Sequence, residues 1–455
     1  MIRALSEYYR VPEDLVGGVF GTMSSNDSGF FRFGPGLRCY GSRVSGLAPN
    51  GGITGLYDAF KDVKFDRSGV HLPFDPDQII ENLRRERYEE NSASWREKFI
   101  SSGWKRSTYY LVRAILPDSI RRQMQRVYFG DWTNRMFPNW PVDSTVDTLH
   151  QTFLRLAMEA GTVEKVPFIW FWPDGAPSCH ILTHDVETKA GRDFTSKLMD
   201  IDESYDFKAS FQVIPEKRYE VPDEYVREIR GRGFEFNIHD LNHDGNLYRE
   251  REEFLRRARK INAYAQRYGA RGFRAGALYR NLEWYGAFEF SYDMSIPNVA
   301  HLEPQRGGCC TVMPFFIGKI LELPLTTTED YSILHILGDE SIDLWKRQFE
   351  LITENHGLAS FIAHPDYLIE ARARKLYEKL LDYLRERVAH EKIWSALPGE
   401  VDRWWRARNQ MRLVSRGRDW EIEGPQKERA RLAFAILDGP RLRYEIAGNT
   451  ATEGG

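Results

Sequence analysis

The chain has little cysteine, four residues in 455, at Cys39, Cys179, Cys309 and Cys310, and no two of them form a CxxC pair. Adjacent Cys309 and Cys310 cannot readily bridge each other, so reduced thiols are expected. No run of eighteen apolar residues occurs, which excludes an ordinary membrane-spanning helix. A net charge of −3 supplies no basic surplus, so no nucleic acid partner is expected. The opening stretch MIRALSEYYRVPEDL lacks the apolar centre of a secretory signal. Together with the reduced thiols this leads to the expectation of a cytoplasmic protein. The Gly- and Ser-rich stretch GTMSSNDSGFFRFGPGLRCYGSRVSGLAPNGG has no Lys-Ser/Thr ending and no helix after it, so it does not read as a phosphate loop.

What the chain does have is core-forming material, 42% hydrophobic and 13% aromatic residues, and a length that suggests two or three domains. Residues 1–162 show no regular alternation. Helices are expected there at Pro76 to Asn91, Thr108 to Phe129 and Ser144 to Ala160, in an arm that wraps the next domain. Within 109–129, Leu111, Ile115, Leu116, Ile120, Met124 and Val127 share the segment with Arg113, Arg121, Arg122 and Arg126. That pattern is compatible with peripheral contact with an anionic membrane face, here the inner face; a helix pair docked on its own protein, with solvated Arg, is the commoner explanation.

Residues 163–410 alternate strand and helix, which predicts an α/β fold: a parallel sheet with helices outside, closed or nearly closed into a (β/α) barrel. In such folds the site lies at the C-terminal strand ends. Residues 411–455 contain short strands around the turn Asp438-Gly439 and predict a small antiparallel sheet for packing, assembly or carbohydrate contact. Nothing specifies an oligomeric state.

Two stretches carry the chemistry. In CHILTHDVE, Cys179 to Glu187, an apolar strand ends in Asp185 and Glu187, two apart and so on one face. In IHDLNHD, Ile238 to Asp244, His239 and His243 stand three residues apart, which reads as two imidazoles on one helical turn. Two His and a carboxylate with an open position suit a divalent metal, Zn²⁺ first with Co²⁺ or Mn²⁺ as alternatives, and a spare carboxylate beside them can act as base toward water. Alone, HxxxH is more often a pair of surface or capping histidines, and DxE a helix cap. Their order, with a β/α unit between, favours the metal site. His180 and His184 read as packing histidines.

The order of the motifs resembles the polysaccharide deacetylases, the NodB-homology or carbohydrate esterase family 4 group. Thr183-His184-Asp185-Val186-Glu187 is similar to their TFDDG, and His239-Asp240-Leu241-Asn242-His243 to their H(S/T)xxH. GFRAGALYR, with Arg274 and Tyr279, looks like their Arg motif, Tyr292-Asp293-Met294-Ser295 like their Asp motif, and Ser360 to Pro365, ending in His364, like their His motif. The resemblance covers about Cys179 to Tyr367. It implies a deformed (β/α) barrel and metal-dependent removal of acetyl from an N-acetylated carbohydrate, with Asp185 as base, His364 as acid and His239 and His243 as ligands.

Val186 stands where the family has its metal-binding Asp, and Glu187 is the natural replacement; whether Asp185 also touches the metal stays open. Arg274 would fix the base, with Asp293 as its expected partner, although a structural ion pair at the barrel rim explains it nearly as well. A backbone N–H between Ala275 and Tyr279 would hold the oxyanion, and Asp366 and Tyr367 would orient His364. Tyr279, Trp284 and Tyr292 are candidate substrate contacts, with core packing the commoner role for such aromatics. The expected substrate is a glycan, lipid-linked or nucleotide-linked precursor, as in exopolysaccharide biosynthesis. Two rival readings are a glycan-binding or assembly protein without turnover, which Val186 favours, and a metal-independent hydrolase of another C–N bond, which the paired His disfavour.

Overall fold

The computed structural model describes residues 3–12, 15, 18–22, 28–42, 55–90, 132–417, 419–439 and 441–448. The expected helix at Thr108 to Phe129, and with it the membrane-facing reading of 109–129, lies outside the described residues. No helix among the described residues is long and apolar enough to cross a membrane.

The chain divides into two compact units, one of Glu89–Asp143 and Ser178–Asp402, the other of Met1–Tyr88, Ser144–Pro177 and Arg403–Gly455. These do not coincide with the expected segments 1–162, 163–410 and 411–455. The strand at Lys165–Ile169, expected to open the barrel, instead pairs antiparallel with Leu432–Asp438, which pairs in turn with Arg441–Ile446. The expected C-terminal sheet is therefore completed by a strand from the middle of the chain. Asp419–Glu423 pairs separately with Arg412–Arg416.

The larger unit is an α/β half-barrel. Its strands are β1 (Cys179–Val186), β2 (Ser210–Val213), β3 (Glu235–His239), β4 (Gly272–Arg274), β5 (Tyr292–Asp293), β6 (Phe315–Ile317), β7 (Ile320–Glu322), β8 (Leu358–Ile362) and β9 (Trp394–Ser395). They are hydrogen-bonded in the order β6-β7-β5-β4-β3-β2-β1-β8, with β9 also on β1. Every pairing is parallel except β6 with β7.

Helices α1 (Lys189–Ser204), α2 (Asp223–Gly231), α3 (Arg251–Tyr268), α4 (Asp343–Glu354) and α5 (Ala371–Glu391) connect the strands. Local signals explain their limits. The Thr188 side chain caps α1 by accepting from Gly191 N–H, Asp223 and Glu224 sit in the first turn of α2, and Gly269 in the left-handed conformation ends α3.

Strand alternation sorts the side chains. Leu182, Val186, Phe211, Val213, Phe236, Ile238 and Phe273 pack under the helices against Leu198, Ile229, Phe254, Ile261 and Leu380. Each such side chain withdrawn from water contributes about 1.5–3 kcal/mol. The alternate residues Thr183, Asp185, Gln212, Asn237, His239 and Arg274 are equally buried but face the lumen. This is why β1 is buried along its whole length and yet carries polar residues.

The seam beside β8 explains the deformation. Thr326 Oγ1 donates to Leu358 O at 2.7 Å and accepts from Ser360 N–H at 2.8 Å, and Thr327 Oγ1 donates to Ser360 O at 2.8 Å. Hydroxyls thus stand in for a strand ladder, and the chain leaves them directly into Glu329 and Asp330.

In the smaller unit, Tyr9 and Tyr444 share a 2.6 Å hydroxyl contact. Arg408, 1% exposed, donates to Trp170 O, Ile169 O and Tyr8 O at 2.7–2.9 Å, and its guanidinium lies over Phe171 and Trp405. Replacing Arg408 with Ala strands three buried acceptors. A loss of about 3 kcal/mol or more is expected, measurable as a lowered midpoint of denaturant unfolding.

Candidate metal centre and active site

Three strand ends and the turn after Thr328 build the site. At the end of β1, Asp185 Oδ1 accepts from Arg274 Nη1 at 2.8 Å. The same nitrogen donates to Thr183 Oγ1 at 2.8 Å, and Arg274 Nε donates to Met294 O at 3.0 Å. Burial alone would raise the Asp185 pKa, but Arg274 and then His239 and His364 bring it below the usual carboxylate value. The result is a buried, ionised, oriented carboxylate.

β3 ends in His239, whose Nδ1 lies 3.1 Å from Arg274 O. That contact puts the proton on Nδ1 and leaves the Nε2 lone pair free. Burial pushes the His239 pKa down to about 4 against the opposing pull of Asp185, so the ring is neutral. His243 does not follow on a helical turn, as its spacing suggested. Asp240 and His243 both adopt left-handed backbone, φ 54° and 52°, and the loop so formed brings the two rings to 4.9 Å between centroids.

Whether these residues suit a metal can be judged from their own atoms. The Nε2 atom of His239 is buried without a hydrogen-bond partner among the described residues, and His243 Nε2, also buried, meets Glu187 Oε1 at 3.0 Å. Ligand atoms of Glu187, His239 and His243 all fall within 4.8 Å of one another. Two imidazole nitrogens and a carboxylate converging in a buried position fit a tetrahedral divalent ion such as Zn²⁺. Glu187 forms this group with both rings, whereas Asp185 Oδ2 is 3.8 Å from His239 Nε2 and its other oxygen is held by Arg274. Burial would raise the Glu187 pKa, but His243 chiefly, with His364 and His239, holds it well below the ordinary value.

His364 follows β8. Its Nδ1 lies 2.6 Å from Asp330 Oδ1, its backbone N–H donates to Asp330 Oδ2 at 2.7 Å, and its Nε2 lies 3.8 Å from Glu187 Oε1. Burial would lower the His364 pKa; the Asp330 carboxylate, then Glu187 and Asp185, outweigh it and raise the pKa well above the ordinary value. Asp330 was not singled out from the sequence. Local spacing carried no signal for it, since Asp330 stands seven residues beyond Leu323.

Several expected roles are corrected. Asp293 does not pair with Arg274: its carboxylate accepts from Ser295 N–H, Ser295 Oγ and Tyr285 OH at 3.0–3.1 Å, because it pairs in register with Phe273 and shares that residue's outward face. Tyr292 is fully buried and its hydroxyl meets Asn237 Nδ2 at 2.8 Å and Glu235, near the N-terminal strand ends and away from the site. Trp284 packs on Phe254, ring centroids 5.2 Å apart, in the helix-side core. Tyr279 is buried just after the turn Gly276–Leu278.

Asp366 does not orient His364; it accepts from Glu187 N–H at 3.0 Å and from the Thr188 hydroxyl. Tyr367 lies beside His364, with ring centroids 5.0 Å apart and planes tilted by 47°. In the stretch Ala275 to Tyr279, the N–H groups of Ala275, Leu278 and Tyr279 are already bonded, to Ser295 Oγ, Ala275 O and Gly276 O. His180 packs against Phe207, but His184 is more than a packing residue. Its Nε2 meets Asp202 at 3.0 Å and its Nδ1 meets Ala363 O at 2.9 Å, which ties β1 to the residue before His364.

No family model and no curated protein sequence matches the chain. In structure, the chain is similar to solved polysaccharide deacetylases. A Mycobacterium smegmatis protein provisionally named as one matches at 17% identity and TM-score 0.43, over 55% of this chain and 98% of that one. The chitin deacetylase of Colletotrichum lindemuthianum matches at 16% identity and TM-score 0.32, over 50% and 89%. The peptidoglycan deacetylase PdaC of Bacillus subtilis matches at 12% identity and TM-score 0.33, over 51% and 93%.

Gly276 makes the site's tolerance testable. A Cβ there would lie 2.7 Å from Asp240 Oδ2 and 2.9 Å from His243 Cδ2, so Gly276→Ala must displace the His243 ring. Weakening of divalent-ion affinity by about 10–100-fold is expected, read by competition against a chromophoric chelator.

Proposed function

We propose that the protein is a metal-dependent amidohydrolase that removes the acetyl group from an N-acetylated sugar. The observation that carries this reading is one constellation. The group Glu187, His239 and His243 is flanked on one side by the Asp185–Arg274 ion pair and on the other by the Asp330–His364 pair. A divalent ion held by Glu187, His239 and His243 would supply Lewis acidity to the amide carbonyl and make water nucleophilic near neutral pH.

The protein's own groups do the rest. Asp185, kept ionised by Arg274, takes the proton of the attacking water. Arg274 also fixes the base in position through its bonds to Thr183 and Met294 O. His364, held as imidazolium by Asp330, delivers a proton to the nitrogen as the C–N bond breaks, so that acetate and a free amine leave. A backbone N–H of Gly276 or Ala277 would serve a developing oxyanion.

The direct test is acetate release from a panel of N-acetylated sugars, free, lipid-linked, nucleotide-linked and polymeric, with and without added Zn²⁺, Co²⁺ or Mn²⁺. Metal-stimulated release from at least one class is expected. Release unaffected by chelators would transfer the chemistry to Asp185 and His364 alone.

A further inference from the structure

One segment, the loop that leaves β2, touches both arms of the proposed ligand set. Glu187 lies one residue beyond the end of β1, where the ladder with β2 stops at the Val186–Val213 pair. Past that point strand pairing no longer fixes the backbone, and the aim of the Glu187 side chain depends on the peptide that joins it to Val186. Both polar ends of that one peptide are held by side chains. Its C=O accepts from the Tyr219 hydroxyl, and its N–H donates to Asp366 Oδ2 at 3.0 Å. The Tyr219 hydroxyl is itself fixed, accepting from Ile214 N–H at 3.0 Å.

The second arm is the loop from His239 to His243. With Asp240 and His243 in left-handed backbone, its carbonyls enter no regular ladder and need donors from elsewhere. Three in succession find them on the loop after β2. Leu241 O accepts from Glu216 N–H at 3.0 Å, Asn242 O from Arg218 Nε at 3.3 Å and His243 O from Arg218 Nη2 at 2.6 Å.

Adjacent residues, Arg218 and Tyr219, thus reach the two arms separately. The backbone before them is sharply bent: Arg218 N–H donates to Glu216 O at 2.9 Å around Lys217, whose φ is 70°. A γ-turn with positive φ is the rarer and more strained form, and such strain outside glycine persists only where the surroundings hold it. Here Glu216 Oε1 is gripped from α3, by Lys260 Nζ at 3.1 Å and Tyr264 OH at 3.3 Å, and Glu220 O accepts from Arg192 Nη1 of α1 at 3.1 Å.

Resting on the metal centre of the reading above, we propose that Arg218 and Tyr219 are positioning residues that strap the Glu187 arm to the His239–His243 loop and so set the geometry and affinity of the ion site. They act through the backbone of the ligands, as groups behind a ligand commonly do. The strap also accounts for Val186: its side chain packs under the helices, and the held peptide beyond it presents Glu187 instead.

The test uses intact protein in wild type, Tyr219→Phe, Arg218→Ala, Arg218→Lys and Tyr225→Phe. Tyr225, on α2, shares a 2.8 Å hydroxyl contact with Thr195, so its variant loses a buried hydrogen bond that is not part of the strap. Zn²⁺ affinity is read by competition with a chromophoric chelator, ligand geometry by the visible spectrum of the Co²⁺ form, stability by denaturant unfolding without metal, and turnover by acetate release. Tyr219→Phe and Arg218→Ala are each expected to weaken Zn²⁺ binding by about 10–100-fold and to shift the Co²⁺ spectrum. Arg218→Lys, which keeps the charge but not the fork, is expected to fall between. Tyr225→Phe is expected to lower the unfolding midpoint and leave affinity and spectrum as in the wild type.

Wild-type affinity and spectrum in either Tyr219→Phe or Arg218→Ala would overturn the strap. So would a Tyr225→Phe variant that weakens ion binding as much as they do, because the effect would then be one of general stability. An ion bound with the expected dependence, but no acetate released from any N-acetylated sugar, would refute the deacetylase reading and leave the strap standing. A wild type that takes up no divalent ion would refute both.

Discussion

Replacing His239 with Ala is expected to abolish turnover while sparing the fold. His239 offers its Nε2 lone pair to the proposed ion and anchors its other nitrogen on Arg274 O. Its loss leaves His243 and Glu187, too few donors for tight binding by the protein alone. A fall in kcat/KM of about a thousandfold or more is expected, corresponding to roughly 4 kcal/mol of transition-state stabilisation. Bound metal should fall in parallel. Substrate affinity should change far less, because His239 is assigned to the ion and not to the sugar. A protein that only binds glycans would keep its ligand and have no turnover to lose, so measuring kcat and Kd on one preparation separates the two readings. The thermal midpoint, recorded in parallel without metal, guards against an effect through misfolding.

The second large effect is expected at Asp330. Its carboxylate contacts both the ring and the backbone N–H of His364, and it is the principal group raising the His364 pKa against burial. Asp330→Asn keeps the shape and removes the charge. The rate is expected to fall by about 10²–10⁴-fold, the usual worth of a positioned general acid.

The pH profile carries the sign. His364 acts as imidazolium, so wild-type activity persists below its raised pKa and is lost as pH rises through it. Without the Asp330 charge that alkaline limb moves to lower pH. Stability follows the same linkage. A histidine whose pKa is raised on folding contributes stability that is full below the unfolded value near 6.5 and is lost as pH rises through the folded value. Asp330→Asn should therefore cost more stability at pH 6 than at high pH, which denaturant unfolding at several pH values would measure. An unchanged alkaline limb would mean that His364 is not the proton donor.

The sequence made much of this site legible because its grammar is local. β1 had to be a strand buried on both faces, and a strand ending in two carboxylates two residues apart points to a cleft at the mouth of the sheet. The parallel sheet followed from the alternation of helical and strand-like segments.

What stayed hidden depended on backbone signs and through-space pairing. His239 and His243 were read onto a helical turn because spacing alone cannot reveal that Asp240 and His243 take positive φ. Asp293 was read into the site, but strand alternation in β5 turns it outward and leaves Tyr292 in the lumen. Asp330 stands 34 residues before the histidine it serves, beyond the reach of any periodicity. The strand at Lys165–Ile169 looked like a barrel strand because apolar alternation does not say which sheet a strand will join; its partner, Leu432–Asp438, lies more than two hundred residues further on.

The central claim is that Glu187, His239 and His243 share one divalent ion, and anomalous scattering at the zinc edge from crystals of Zn²⁺-loaded protein tests it most directly. The account predicts a single strong peak within coordination distance of His239 Nε2, His243 Nε2 and a Glu187 carboxylate oxygen, absent in His239→Ala. A peak elsewhere, or full occupancy of the protein with no ion at these three residues, would contradict it.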